Sequence, residues 1–216
     1  MPRSTDFRFT SKKKSLHDSQ RETRRVKALR VTFETEFVEP LGDMVKRLKF
    51  IDEIGVNLGL TRLYGRAAPG ERVVEATPGH SGAHYTALAA LGWTGIKAPW
   101  IFEGAMDGTA CATYVEHMLA PTLRHGDLVV MDNLSAHKSD RVRQMIEARG
   151  AQLIFLPPYS PDFNPIELCW AKVKTALRAA KARTYATLVQ ALADALHSIS
   201  CGDIQAWFAH CGYVLA

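Results

Sequence analysis

LVVMDNLSAHKSDRVRQMIEARGAQLIFLPPYSPDFNPIELCWAKVK, residues 128–174, decides how the rest of the chain is read. It opens on Leu128-Val129-Val130-Met131, a run short, β-branched and apolar on both faces, as a strand buried in a covered sheet must be. Asp132 closes that run. Between Lys138 and Arg149, Val142, Met145 and Ile146 recur at helical spacing, and Gly150 follows as a C-cap. Gln152 to Leu156 reads as a second short strand. Strand, helix and strand in succession predict parallel pairing, and ligands of such sheets gather beyond the carboxyl ends of the strands, where Asp132 lies. A loop stiffened by four prolines, Pro157, Pro158, Pro161 and Pro165, then sets where the next helix begins. Asn164 as N-cap and Pro165 at the first helical position put Glu167 in its opening turn. At about 100° per residue, Lys174 and Arg178 fall within roughly 20° of Glu167, while Ile166, Trp170, Val173 and Leu177 form a separate stripe that packs inward.

Downstream, Thr184 and Ser200 with Asp203 predict caps for two closing helices, Tyr185 to Ser198 and Gly202 to His210. Leu188, Leu192, Leu196, Trp207 and Phe208 are their core candidates. Upstream, His84 to Trp93 and Ile96 to Phe102 predict antiparallel strands, and Asp107-Gly108-Thr109 starts a helix that stops before Pro121. Arg47 to Leu60 predicts a hairpin that turns or bulges at Gly55, and Arg72 to Ala76 a further short strand. Asp52 and Glu53 fall inside the first strand of that hairpin and face opposite sides. One of them at most can share a site with Asp132 and Glu167, and alternation alone does not choose.

The chain of 216 residues, 47% hydrophobic, suits one large domain or a domain with an appendage. Its net charge of +5 is concentrated at the start. From Arg3 to Arg30 ten basic residues, among them Lys12, Lys13, Lys14, Arg24 and Arg25, face only Asp6, Asp18 and Glu22. Residues 1–17 read as a basic arm, and from Asp18 a helix carries Val26, Leu29, Phe33 and Phe37 at helical spacing until Pro40-Leu41-Gly42 ends it. The expected division is a basic arm and linker helix over 1–45 and a catalytic domain with C-terminal helices over 46–216. Four scattered cysteines without a CxxC pair suggest neither a zinc cage nor a disulfide framework. A polar, basic opening and the lack of any apolar run long enough to cross a bilayer argue against secretion and membrane insertion, so a cytoplasmic protein is expected.

Three carboxylates drawn from strands and a helix raise one another's pKa unless a cation compensates them. Oxygen-only sites favour Mg²⁺ or Mn²⁺ over zinc, and two such ions activate an oxygen nucleophile in phosphodiester displacement. Each acid also has a plain structural reading: Glu167 as a first-turn residue complementing the helix dipole, Asp132-Asn133 as turn chemistry, Asp52-Glu53 as an exposed strand pair. The joint arrangement is what favours a site. Asn133, His137 and Asn164 are candidates to orient the acids, and Lys12, Lys13, Lys14, Arg24, Arg25, Arg66, Lys174 and Arg178 are candidate contacts to a phosphate backbone.

The segments FIDEIGVNL with YGRAAPGERV, VVMDNLSAHKS and LPPYSPDFNPIELCWAKVK resemble the catalytic domain of mariner-like insertion-sequence transposases of the DDE superfamily. The thirty-four residues between Asp132 and Glu167, 133 to 166, match the spacing of that family. The resemblance implies an α/β, RNase H-like mixed sheet, with antiparallel hairpin strands plus parallel strands, flanked by helices. It assigns Asp52, not Glu53, as the first acid, and Asp52, Asp132 and Glu167 as holders of two Mg²⁺ ions, with Mn²⁺ as substitute. The implied activity is cleavage of double-stranded DNA at transposon terminal inverted repeats and strand transfer into target DNA by a homodimer at the nucleoid. Family members usually carry helix-turn-helix modules, whereas a short basic lead-in stands here, so an upstream-frame helix-turn-helix portion is an expected partner. The alternatives are a truncated or inactive DNA-binding remnant and an RNase H-type nuclease.

Overall fold

Alternation along one central strand divides the molecule into two cores. In the computed structural model, which describes residues 19–80, 82–133 and 139–215, strand β1 spans Leu48–Asn57. Its Leu48, Phe50, Ile54 and Val56 enter one core, and Ile51 enters the other. Asp52 falls in the first series, between Phe50 and Ile54, because successive strand residues point to opposite faces. Strands β2 (His84–Gly92) and β3 (Gly95–Glu103) run antiparallel beside it, and β4 (Leu128–Met131) and β5 (Gln152–Phe155) pair parallel on the other side. The order β3-β2-β1-β4-β5 is the RNase H-like mixed sheet expected from the sequence.

Helix α4 (Pro165–Ala180) covers the first face, packing on β1 and β2 and carrying α5 (Tyr185–His197) and α6 (Cys201–His210) behind it. The predicted stripe of Ile166, Trp170, Val173 and Leu177 is buried to within 1% exposure, so burying α4 supplies much of this core. Both closing helices begin in capping boxes, Thr184 with Thr187 and Ser200 with Asp203. Helices α2 (Gly108–Tyr114) and α3 (Asp140–Glu147) cover the second face through Cys111, Tyr114, Val142 and Ile146. Pro99 lies on the edge strand β3, where a missing N–H leaves no ladder bond unmade.

A 3₁₀ turn at Ser19–Glu22 opens the described chain, and helix α1 (Arg24–Phe33) follows. It widens into a π-helical turn at Glu34–Val38 and tightens into 3₁₀ geometry over Glu39–Arg47. Pro40 therefore does not end the helical segment: it sits in the first turn of the tighter stretch, where it removes no needed donor, and the kink comes at Gly42, whose φ of 47° suits glycine alone. Leu29 is not a core residue, since the inward stripe runs Val26, Arg30, Phe33 and Phe37 and leaves Leu29 on the flank, 41% exposed.

Two further expectations are corrected. Arg47 to Leu60 is not a hairpin: Gly55 is extended and paired opposite Thr86, so one ten-residue strand runs straight through it. The partner strand returns only at His84, after an irregular excursion. Arg72 to Ala76 forms no strand within that excursion and is exposed.

Candidate active site

Asp52 occupies a core position at the centre of the sheet. It is 8% exposed, flanked in sequence by buried Ile51 and lying opposite the small Ala89 of β2. Its Oδ1 accepts the Glu53 backbone N–H at 2.8 Å, and the Asn164 Nδ2 donor lies 3.5 Å from its Oδ2. Beside it, the parallel ladder pairs Ile51 with Met131, so the next positions along the two chains are Asp52 and Asp132. Asp52 points to the α4 face, and Asp132, one residue beyond the end of β4 on a strand about 4.8 Å away, lines the same cleft. Glu53 faces the other way, toward the α2 side, where its charge helps to raise the Cys111 thiol, pushed up to about 11 first by burial. The choice that alternation left open is thus made by pairing: Asp52 shares a face with Asp132.

Glu167 arrives from α4. Asn164 stands at the N-cap, yet its side chain does not cap the helix and instead approaches Asp52. Nor does Glu167 close a capping box, because the Asn164 N–H that it would accept goes to the Pro161 carbonyl at 3.0 Å. The first-turn acid and the cap residue are both directed away from their ordinary structural work. Asn164 is 4% exposed, and its Oδ1 has no hydrogen-bond partner among the described residues.

The three acids, with Asn133 and Asn164, line one open cleft of about 720 Å³. The proline-rich loop and the α1 side, through Thr23, Arg25 and Val26, complete its wall. Its electrostatics are those of carboxyls cut off from water with other acids nearby. Burial first, then the negative charge of Glu167, push the Asp52 carboxyl up to about 8, with the Glu53 N–H opposing and Glu53 and Asp132 adding to the rise. Glu167, although largely exposed, is also held above the ordinary carboxylate range, by loss of water on its cleft side and by Asp132 and Glu53. Lys174 pulls it the other way, which puts that ammonium within electrostatic reach on the same side of α4.

The other predicted residues are placed as follows. Arg178 is half-buried one turn beyond Lys174 and does not line the cleft; Arg24 and Arg66 are exposed, on α1 and in the excursion after β1. Arg25 alone of the basic residues of α1 reaches the cleft wall. Lys12, Lys13, Lys14 and His137 lie outside the described residues. Among the described residues no three His, Cys, Asp or Glu side chains are gathered closely enough to hold one metal ion as they stand. The four cysteines are free, three of them buried.

Two residues escaped the sequence reading, Arg30 and Asp162. Arg30 reaches from α1 to the proline loop, donating to Asp162 Oδ1 at 3.0 Å, Asp162 Oδ2 at 2.6 Å and Ser160 Oγ at 2.6 Å. Its signal was present in the sequence: Arg30 stands four residues after Val26 and three before Phe33, inside the apolar stripe.

A family model described as DDE superfamily endonuclease matches residues 47–189. No curated protein matches the chain by sequence. Among solved structures, the pre-cleavage Mos1 transpososome superposes with a TM-score of 0.76 at 12% identity, over 96% of this chain and 65% of the other. The Mos1 strand transfer complex gives 0.72 at 14% identity, over 96% and 64%. The catalytic domain of Mos1 mariner transposase gives 0.57 at 12%, over 94% and 98%. These likenesses carry the fold, and the chain spans just under two-thirds of the length of the transposase chains in the two complexes.

Proposed function

The chain belongs to the DDE superfamily of endonucleases, and on that premise we propose that it is the catalytic part of a transposase, cutting DNA at transposon ends and joining them to target DNA. The observation that carries this reading is the convergence of Asp52, Asp132 and Glu167, from the middle of β1, the end of β4 and the first turn of α4, on one cleft.

The donor set fits a hard divalent cation. All three side chains offer oxygen, Asn164 Oδ1 is a buried acceptor with no donor among the described residues, and the burial and neighbouring negative charge that push the Asp52 carboxyl up to about 8 are offset by added positive charge. Asp52, Asp132 and Glu167 would hold two Mg²⁺, or Mn²⁺ in their place. When bound, such ions supply Lewis acidity at a phosphodiester and lower the pKa of an oxygen nucleophile. The chain's own groups do the rest. Asn164 orients the Asp52 carboxylate through its amide. Asn133, on the cleft wall, and His137 are proposed to steady Asp132. Lys174, beside Glu167, and Arg25, across the cleft, bracket the acids with positive charge suited to a phosphate backbone. Arg24, Arg66, Arg178 and the Lys12-Lys13-Lys14 run extend that charge along the bound DNA.

The match beginning at residue 47 supports reading 46–216 as the catalytic unit and 1–45 as an arm and linker. The Mos1 complex with the left transposon end is a paired-end complex, which supports a homodimer holding two DNA ends here too. A helix-turn-helix portion supplied from an upstream frame would then select the terminal repeats. No described helix is long and apolar enough to cross a membrane, in keeping with work on DNA in the cytoplasm. The test is nicking of transposon-end DNA with Mn²⁺: Asp132→Asn and Glu167→Gln each abolish it while circular dichroism stays unchanged. Nicking undiminished in either variant overturns the proposal.

A further inference from the structure

The loop that delivers Glu167 is held by more than its own turns. It leaves β5 at Leu156 and reaches α4 at Pro165, with internal bonds from Ser160 Oγ to the Pro158 carbonyl and from the Phe163 and Asn164 N–H groups to the Ser160 and Pro161 carbonyls, and three features tie it to the rest of the chain. Tyr159 has a φ of 57°, left-handed backbone that a tyrosine adopts only when its surroundings hold it there. Its hydroxyl donates to Gln20 Oε1 at 2.7 Å. Asp162 takes a two-pronged hydrogen bond from Arg30 and a third from Arg21 Nη2 at 3.0 Å. Phe163 lies between partners, with the Arg30 guanidinium 4.5 Å above its ring, the Phe33 ring 5.4 Å away and the Tyr213 hydroxyl donating to its carbonyl at 2.8 Å.

We propose that Arg30, acting through Asp162, Ser160 and Phe163, is the positioning residue of the acidic site, fixing Asn164 and Glu167 against Asp52 and so making α1 part of the active site. This rests on the reading above only in treating Glu167 and Asp52 as metal ligands. Exposed ion pairs contribute little, and the Asp162 side chain is 41% exposed; what strengthens this pair is that the Arg30 side chain is 15% exposed, its fork meets the carboxylate with both prongs, and its flat face covers an aromatic ring. Asn164 follows Phe163 directly, and Pro165 removes the freedom of the next backbone angle. A displacement of Phe163 is passed to Asn164, its neighbour in the chain, and from there to Glu167, whose N–H donates to the Asn164 carbonyl at 3.1 Å across the stiff Pro165. The same helix presents Arg25 to the cleft, so a ligand gripping α1 and the geometry of the acids are joined through one guanidinium.

The experiment is amide hydrogen exchange on the 216-residue chain, with Mn²⁺ calorimetry on the same samples. Arg30→Ala speeds exchange at Phe163, Asn164 and Glu167 by about tenfold or more, the loss expected for charge-assisted bonds, and leaves α5 and β2 at their wild-type rates. Arg30→Lys keeps the charge but not the fork, and gives at least half of that change on a logarithmic scale. Arg30→Ala with Asp162→Ala changes no more than Arg30→Ala alone. Mn²⁺ affinity falls about tenfold in Arg30→Ala through misplacement of Glu167. A merely structural arginine would lower the melting temperature and raise exchange everywhere alike, and that pattern overturns the proposal, as does unchanged exchange in both Arg30 variants. If Arg30→Ala fails to fold, Arg30→Lys and Asp162→Asn decide by the same criterion. Absence of Mn²⁺ binding by the wild type would strike the metal reading instead, while the exchange pattern still decides whether Arg30 fixes Asn164 and Glu167.

Discussion

Replacing Asp52 by asparagine should stabilise the metal-free protein, and increasingly so as the pH rises. The carboxyl is 8% exposed and is pushed from 3.8 to about 8 by burial, Glu167, Glu53 and Asp132, against the Glu53 N–H. Between those two values the folded state holds a proton that the unfolded chain has released, so stability falls as pH rises through that window. At about 1.4 kcal/mol per pH unit, the loss is about 2 kcal/mol by pH 5 and about 5 kcal/mol by pH 8. Asparagine keeps the oxygen that accepts the Glu53 N–H at 2.8 Å and removes the titration. Urea unfolding of wild type and Asp52→Asn in chelator, at about pH 5 and about pH 8, should therefore show a stability gap that widens by roughly 3–4 kcal/mol in favour of the variant. In melting temperature the gap at the higher pH corresponds to roughly 10–20 °C for a chain of this size. Saturating Mn²⁺ reverses part of the gap by binding wild type alone, by about 2.7 kcal/mol at a hundred times its Kd. A gap that does not widen with pH, or a variant less stable than wild type at about pH 8, refutes the electrostatic account of the site.

Other predictions rest on separate parts of the structure. Lys174→Ala weakens DNA binding uniformly across sequences and reduces the salt slope by about 1, measured by fluorescence anisotropy across a salt series; an unchanged slope removes Lys174 from the interface. The same substitution removes the charge that opposes the rise at Glu167, so the acid limb of the Mn²⁺-dependent nicking profile moves to higher pH. Trp170→Ala, at a site 1% exposed in the α4 stripe, lowers unfolding free energy by roughly 3–5 kcal/mol in chemical denaturation. A loss below about 1 kcal/mol would mean that α4 is not the keystone of that core.

The parts of the fold that could be read from residues alone are those with local signals. The Leu128–Met131 strand is apolar on every residue, the α4 stripe repeats at helical period, and Thr184 and Ser200 cap as their chemistry dictates. The misreadings come from tertiary context. Gly55 looks like a turn, but paired opposite Thr86 at the centre of the sheet it costs only backbone entropy and stays extended. The choice between Asp52 and Glu53 needs the register Ile51 to Met131, which no local pattern encodes, so residues alone left it open and only the family resemblance pointed to Asp52. Arg30 was grouped with a basic arm by composition, although its position between Val26 and Phe33 in the stripe turns it inward to Asp162.

Titration of the metal-free 216-residue chain with Mn²⁺ in a calorimeter tests most directly whether Asp52, Asp132 and Glu167 form one divalent-cation site. The account predicts saturable binding of two ions per chain to the wild type, lost or weakened by more than about tenfold in Asp132→Asn, with the fold intact by circular dichroism. Wild type that binds no Mn²⁺ while folded, or Asp132→Asn that binds as well as wild type, would contradict it.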